Sequence, residues 1–224
     1  TVPLGIIMNE DCLVTICHYE TDMLPDFLVY MRRKGLEVQN NWDLLFRLFL
    51  SSSVWYLKYL KQLNNQSRAV EKELERSIQN AELQRLLKIE KSLVFFITSL
   101  RGNDNLLIKL KMLKSQRQYF DPELVEDVEI ELRQAQDTSR IYSDILSGTM
   151  DAFASVISNN LNVIMKRMTA ISLLLMIPTL IASLYGMNIQ NGLEEAPYGM
   201  WLIVVISVLF SVVTFWLFKK KKWL

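Results

Sequence analysis

The chain has 224 residues, of which 50% are hydrophobic and 22% charged, and its mean hydropathy of +0.15 argues against a purely soluble protein. Its 25 basic and 24 acidic side chains leave a net charge of +1, so no bulk field recruits nucleic acid or an acidic substrate. Cys12 and Cys17 cannot build a disulfide framework and fit no zinc-ligand spacing, and they read as buried small hydrophobes in a reducing compartment.

In chain order, apolar runs over 4–8 and 12–18 around Asn9-Glu10-Asp11 predict a two-stranded hairpin. His18, the only histidine, falls in the second strand and reads as a sheet residue rather than a catalytic or zinc-binding group. A lone hairpin is marginal in water. With Thr1-Val2-Pro3 as the first residues, the expectation is an α/β cytoplasmic body whose sheet is incomplete at its N-terminal side. Asp22 is placed to cap a helix running to about Lys34, before Gly35. Asn41 opens a second helix, rich in Leu, Phe and Trp, that continues through the charged stretch 71–76. A third is predicted over 81–101, then a turn at Gly102-Asn103-Asp104 and a returning helix to about Gln116. Asp121-Pro122 supplies an N-cap with proline at the first helical position.

After Pro122 nothing breaks the pattern until Pro178, and Gly148 is the only glycine before the apolar region. A helix over 123–187 would be about 100 Å long at 1.5 Å per residue, too long to stand without neighbours along it. That length implies oligomerisation.

Between Arg167 and Lys219 the only charges are Glu194 and Glu195, which divide the stretch into apolar runs at 168–187 and 196–218. Each is long enough to cross a hydrocarbon core of about 30 Å. The predicted layout is a cytoplasmic domain over 1–121, a stalk helix over 122–187 ending in the first span, an outer loop over 188–198, a second span over 199–218 and a basic tail over 219–224. Lys166 and Arg167 before the first span, and Lys219, Lys220, Lys221 and Lys222 after the second, put both ends on the cytoplasmic side by the positive-inside rule. The four lysines read as stop-transfer charges, as a basic collar around an inner pore mouth, or as both. Tyr198 and Trp201 at one edge of the second span, and Trp216 and Trp223 at the other, fit aromatic anchoring.

Along the first span Asn162, Met165, Thr169, Ser172, Met176, Thr179, Ser183 and Gly186 recur at helical spacing on one stripe. Two readings follow from the pattern. Small residues and hydroxyls let transmembrane helices pack closely; alternatively the stripe is a pore face, with hydroxyls and an amide for a hydrated ion and rings of Met165 and Met176 able to gate by dewetting.

At the outer end stands Tyr185-Gly186-Met187-Asn188, which resembles the YGMN signature of the CorA family of magnesium transporters. The resemblance extends to Met165, Met176, Pro178, Thr179, the two-span ending, the tail Lys219-Lys220-Lys221-Lys222-Trp223-Leu224, and the stretch from Lys91 through Phe95 and Phe96 to Leu100. It departs from the family in its short N-terminal body and in the loop Asn191-Gly192-Leu193-Glu194-Glu195-Ala196-Pro197, where many members carry a Met-Pro-Glu-Leu-like sequence.

The resemblance implies a mainly α membrane protein that forms a funnel-shaped homopentamer in the cell membrane, its first span lining the pore. It implies a divalent-cation channel for potential-driven Mg2+ uptake, with Co2+ or Ni2+ as further transported ions and Zn2+ as the cargo of a similar branch. Asn188 would form a ring of amides holding hydrated Mg2+ through its waters; Gly186 would allow close backbone approach, and Tyr185 and Met187 would hold the loop. Glu194 and Glu195 would raise the local cation concentration or simply be solvated. Cytoplasmic Mg2+ gating would use acidic residues of the long helix: Asp127, Asp137, Asp144 and Asp151, the last three in heptad register, with Asp127 and Asp151 preferred as metal positions. The sequence holds no GxxxxGK[ST] and no catalytic constellation, so the expectation is a non-enzyme without nucleotide. A membrane-anchored assembly or sensor with no conduction is the alternative of another class.

Overall fold

A computed structural model describes residues 1–9, 12–76, 80–113, 119–187, 198–221 and 223. The chain forms two compact units, Thr1–Asp151 and Ala152–Leu224.

In the first unit, β1 (Leu4–Met8) pairs antiparallel with β2 (Leu13–Cys17), Leu4 opposite Cys17 and Met8 opposite Leu13. β2 is shorter than the expected 12–18. Cys12 is exposed, contrary to the expectation of burial, because it precedes the first ladder pair and its carbonyl accepts the turn hydrogen bond from Asn9. His18 likewise lies past the last pair, exposed, with its ring edge-on to Tyr19. Period-2 alternation turns Leu4 and Ile6 toward a small core of Phe27, Met31 and Leu48 and leaves Ile7, Val14 and Ile16 exposed.

α1 (Met23–Lys34) ends where Gly35 adopts φ 59°, with its N–H on the Arg32 carbonyl and the Leu36 N–H on the Met31 carbonyl. Glycine enters this left-handed conformation without a Cβ clash. At the other end Asp22 occupies the cap position but makes no side-chain cap bond; Thr21 Oγ1 accepts from the Met23 N–H instead. α2 (Asn41–Arg76) begins at the expected Asn41, with Asn40 before it as the cap. Asn40 Oδ1 accepts the Asp43 N–H at 2.9 Å, and Asp43 Oδ2 accepts the Gln39 N–H at 3.3 Å. The buried Asp43 is balanced by Arg47, whose Nε donates to it at 2.8 Å.

α3 (Asn80–Lys111) is a single helix, so the predicted turn at Gly102-Asn103-Asp104 does not form. Leu86, Leu93, Leu100 and Leu107, all at most 2% exposed, recur every seven residues straight through that segment. Burying each contributes roughly 1.5–3 kcal/mol, more than the ~1 kcal/mol an interior glycine costs. The same seven-residue repeat marks α2 at Phe46, Ser53, Leu60, Ser67 and Leu74, and α4 (Pro122–Tyr185) at Val125, Leu132, Ser139 and Leu146, all buried. The three seams meet in one core in which Phe46 and Phe49 of α2, Leu100 and Leu107 of α3, and Val128, Leu132 and Ala135 of α4 pack together. Asp121 starts α4 as expected, its Oδ1 accepting the Glu123 N–H at 3.1 Å ahead of Pro122.

In the second unit α4 continues without interruption through Pro178, and α5 (Gly199–Lys220) follows. Both are long and apolar enough to cross a membrane, by length and composition. At 1.5 Å per residue the 64 residues of α4 extend about 96 Å.

Candidate functional site

The membrane segment of α4 has one covered face. Ala170 is fully buried, and Leu174, Ile177, Pro178, Ile181 and Tyr185 are half-buried. α5 carries a matching half-buried stripe, Ile203, Ser207, Ser211, Thr214 and Phe218, while the remainder of its apolar surface, including Val205, Val208, Val212 and Trp216, is exposed. These stripes are the covered faces of the two helices of this unit.

The polar stripe read from the sequence lies elsewhere. Asn162, Met165, Thr169, Ser172, Met176, Thr179 and Ser183 are all exposed, Met165 to 61% and Met176 to 64%. At 100° per residue this stripe is centred about 160° around α4 from the covered one. The covered side of α4 is therefore the opposite one.

The chemistry of the open face is set by how its hydroxyls are engaged. Thr169 Oγ1 donates to the Met165 carbonyl and Thr179 Oγ1 to the Leu175 carbonyl, each at 2.8 Å. With the donor spent on its own helix, each hydroxyl presents oxygen lone pairs outward. Such a face accepts hydrogen bonds from water, and the waters of a hydrated cation are strong donors. Pro178, which has no N–H, leaves one rung of the helix ladder open beside Thr179, and α4 nevertheless continues to Tyr185.

Gly186 closes α4, its N–H donating to the Ala182 carbonyl at 2.9 Å. A Cβ there would stand 3.3 Å from that same carbonyl oxygen, so glycine permits the close approach of the last turn. Met187 is exposed, and Asn188, Glu194 and Glu195 lie outside the described residues. Lys219, Lys220 and Lys221 are exposed at the end of α5, and Lys222 lies outside the described residues.

In the first unit Asp127, Asp137, Asp144 and Asp151 are exposed on α4. At 100° per residue Asp137, Asp144 and Asp151 face away from the core seam, whereas Asp127 sits about 100° from it on a flank. Asp127 and Asp151 are about 36 Å apart along the axis, so the fold does not bring them to one place. Among the described residues no group of three or more His, Cys, Asp or Glu is gathered to hold a metal. Asp137 instead borders an open groove of about 580 Å3 with Glu126, Glu129, Ile130 and Arg133. The sequence reading did not single out Arg133, which stands 3.6 Å from Glu129 one turn before it; the i, i+4 spacing was the available signal.

The family model described as CorA-like Mg2+ transporter protein matches residues 1–220. The chain belongs to this family. It is a family of membrane-integral transporters and not of enzymes. The chain is 27% identical over 241 residues to the cobalt/magnesium transport protein CorA of Methanocaldococcus jannaschii, covering 100% of this chain and 72% of that protein. It is 37% identical over 92 residues to the cobalt/magnesium transport protein CorA of Thermotoga maritima, an alignment covering 41% of this chain and 26% of that one. The complete structure of the CorA magnesium transporter from Methanocaldococcus jannaschii superposes with a TM-score of 0.79 at 22% identity, over 100% of this chain and 76% of that one. The fold is thus that of a CorA protein: mostly helical, with one very long helix and two apolar candidate spans.

Proposed function

We propose that five copies of this CorA-family chain form a channel that carries hydrated Mg2+ into the cell, with α4 lining the pore and α5 outside it. The observation that carries this reading is the position of the acceptor-bearing stripe, opposite the covered face of α4 and open in the single chain. A second feature supports assembly: every side chain over 158–169 is exposed, including Leu161, Ile164, Met165 and Met168 at 51–61%. Apolar side chains left uncovered for three turns are the kind of surface that neighbouring copies bury.

In this reading Met165 and Met176 form apolar constrictions, Thr169, Ser172, Thr179 and Ser183 accept hydrogen bonds from the ion's waters, and Asn162 adds an amide at the inner end. Asn188 forms the outer ring. Mg2+ holds six oxygens at about 2.0–2.1 Å and dehydrates reluctantly, so a neutral amide ring selects it with its waters in place. Glu194 and Glu195 gather cations outside. Both termini are cytoplasmic, and an inside-negative potential supplies about 4.6 kcal/mol per 100 mV for a divalent ion, twice the single-charge value. Cytoplasmic Mg2+ closes the channel through Asp127 and Asp151; because these lie on different faces and far apart, each would bridge to a neighbouring copy at its own level. Co2+ is a second cargo, on the strength of the names of the relatives from Methanocaldococcus jannaschii and Thermotoga maritima, and Ni2+ shares its hydrated chemistry.

The test is Mg2+ influx into liposomes holding the purified chain, with a magnesium dye inside and an inside-negative potential. Influx that Asn188→Ala abolishes is the expected result. Influx untouched by that change would move the selectivity ring elsewhere, and no influx from a folded pentamer would favour a non-conducting assembly.

A further inference from the structure

Within the first unit, α1 and α2 border a groove that the channel reading does not use. Its volume of about 340 Å3 falls in the range of small-molecule sites, roughly 300–1,000 Å3. The buried side chains of Phe27 and Met31 form its floor, and Leu36, Leu50 and Val54 line its walls.

The two helices run antiparallel along the groove, which fixes what stands at each end. The Trp55 Nε1–H donates to Asp26 Oδ2 at 3.2 Å, while Met31, further along α1, packs with Leu48, earlier in α2. From the Trp55–Asp26 contact, Arg33 lies about 11 Å further along α1 and Arg47 about 12 Å back along α2, at 1.5 Å per residue. Both arginines line the groove. They therefore share one end of it, with an apolar stretch of about 11 Å leading to the other.

The ends differ in charge. At the Trp55 end, Asp26 accepts from the indole N–H and Lys58 Nζ stands 3.8 Å from the centroid of the same ring, so one carboxylate faces one ammonium. At the arginine end, Arg47 Nε donates to the buried Asp43 at 2.8 Å, which anchors the guanidinium and takes up one positive charge. Arg33 is exposed, and among the described residues its side chain has no ion pair or hydrogen bond. Asp26, at the far end, is the only carboxylate lining the groove among the described residues. One positive charge is left over.

We propose that this groove binds a small amphipathic carboxylate, its head on Arg33 and Arg47 and an unbranched alkyl chain along Phe27, Met31 and Leu50. The leftover charge matches a monoanion, and the planar guanidinium fork matches a carboxylate. An extended chain of eight carbons, with bonds of about 1.5 Å, reaches roughly 10 Å and fills the apolar stretch. Each methylene buried there strengthens binding about fourfold. A mere surface furrow would take an acid and the corresponding alcohol alike.

The experiment is isothermal titration calorimetry of sodium octanoate into the purified full chain in phosphatidylcholine nanodiscs, with empty nanodiscs subtracted for partitioning. The expected result is one saturable site per chain, with 1-octanol and butanoate each binding at least about tenfold more weakly. Arg33→Gln should weaken octanoate by about tenfold or more and Arg33→Lys by less. Val54→Asp, at an exposed position on the groove wall, should weaken it as well, and circular dichroism melting of each variant should match the unaltered chain. Octanol binding as tightly as octanoate, or octanoate affinity unchanged by Arg33→Gln, would overturn the proposal. The absence of saturable heat with the unaltered chain would do the same. Displacement of octanoate by an equal concentration of inorganic phosphate would reduce the site to a simple anion site and overturn the role given to the apolar walls.

Discussion

Lys111 Nζ lies 2.6 Å from Glu129 Oε2, tying the last residue of α3 to the early turns of α4. The hydrogen bond from Lys111 holds the Glu129 carboxyl below its ordinary range, against the opposing effect of burial and with help from the charges of Lys111 and Arg133. A lowered folded-state value means the pair contributes stability above the unfolded value of about 4.3 and loses it as pH falls through the folded one. Both side chains are 40% exposed, which limits the contribution to about 0.2–1 kcal/mol. Glu129→Gln should lower the thermal midpoint at pH 7 by no more than about 3 °C and by less at pH 3, because the pair's contribution is lost as pH falls. Melting curves by circular dichroism at the two pH values check this; an equal shift at both would show that the ion pair is not the cause.

Gly102 sits within α3 with open space around it: a Cβ added there meets nothing within 4 Å, and its φ is not among the positive ones. Gly102→Ala should therefore stabilise the chain by about 0.5–1 kcal/mol, by removing backbone freedom from the unfolded state. Urea midpoints should rise with an unchanged slope. A fall in the midpoint would mean that this face is occupied in the assembled protein.

How far the sequence was legible follows from which signals are local. The polar stripe from Asn162 to Ser183 was readable because it is periodic on one helix. The continuity of α3 through Gly102 was not, because three turn-forming residues in a row outweigh, locally, a leucine repeat whose partners lie on α2 and α4. Thr21, not Asp22, supplies the cap bond of α1 because side-chain geometry at a helix start depends on the preceding turn. The covered face of α4 was illegible for a different reason. The only hydroxyls of α5, Ser207, Ser211 and Thr214, fall on its half-buried stripe, whereas those of the α4 polar stripe lie on the open face, so hydroxyls mark covering on one helix and not on the other.

Ser139 is fully buried in the α4 seam, and among the described residues its Oγ has no hydrogen-bond partner. It stands between Leu132 and Leu146 in the seven-residue repeat, where the neighbouring positions are aliphatic. An unsatisfied buried hydroxyl costs about 1–3 kcal/mol, whereas losing one oxygen atom's volume leaves too small a space to offset that. Ser139→Ala should raise the denaturation midpoint, by about 1 kcal/mol after the small packing loss. Ser53→Ala serves as the comparison, because Ser53 Oγ donates to the Phe49 carbonyl at 3.2 Å, so its removal should be close to neutral. If both changes destabilise alike, Ser139 has a partner in the assembled protein.

Thr179 and Thr214 make the same local bond, each Oγ1 donating to the carbonyl four residues before it at 2.8 Å, yet they face different surroundings. Thr179 is on the open face of α4 and Thr214 is in the covered stripe of α5. Valine preserves the shape of either side chain and removes its oxygen. If the open face is the pore wall, Thr179→Val withdraws an acceptor from the ion's waters, a loss of about 0.5–1.5 kcal/mol per hydrogen bond, and Mg2+ influx should fall about 2- to 10-fold. Thr214→Val removes only a bond within its own helix and should change influx by less than about twofold. Equal effects would mean that both hydroxyls act through helix packing. An effect confined to Thr214→Val would put the conduction path on the other side of the α4 and α5 pair.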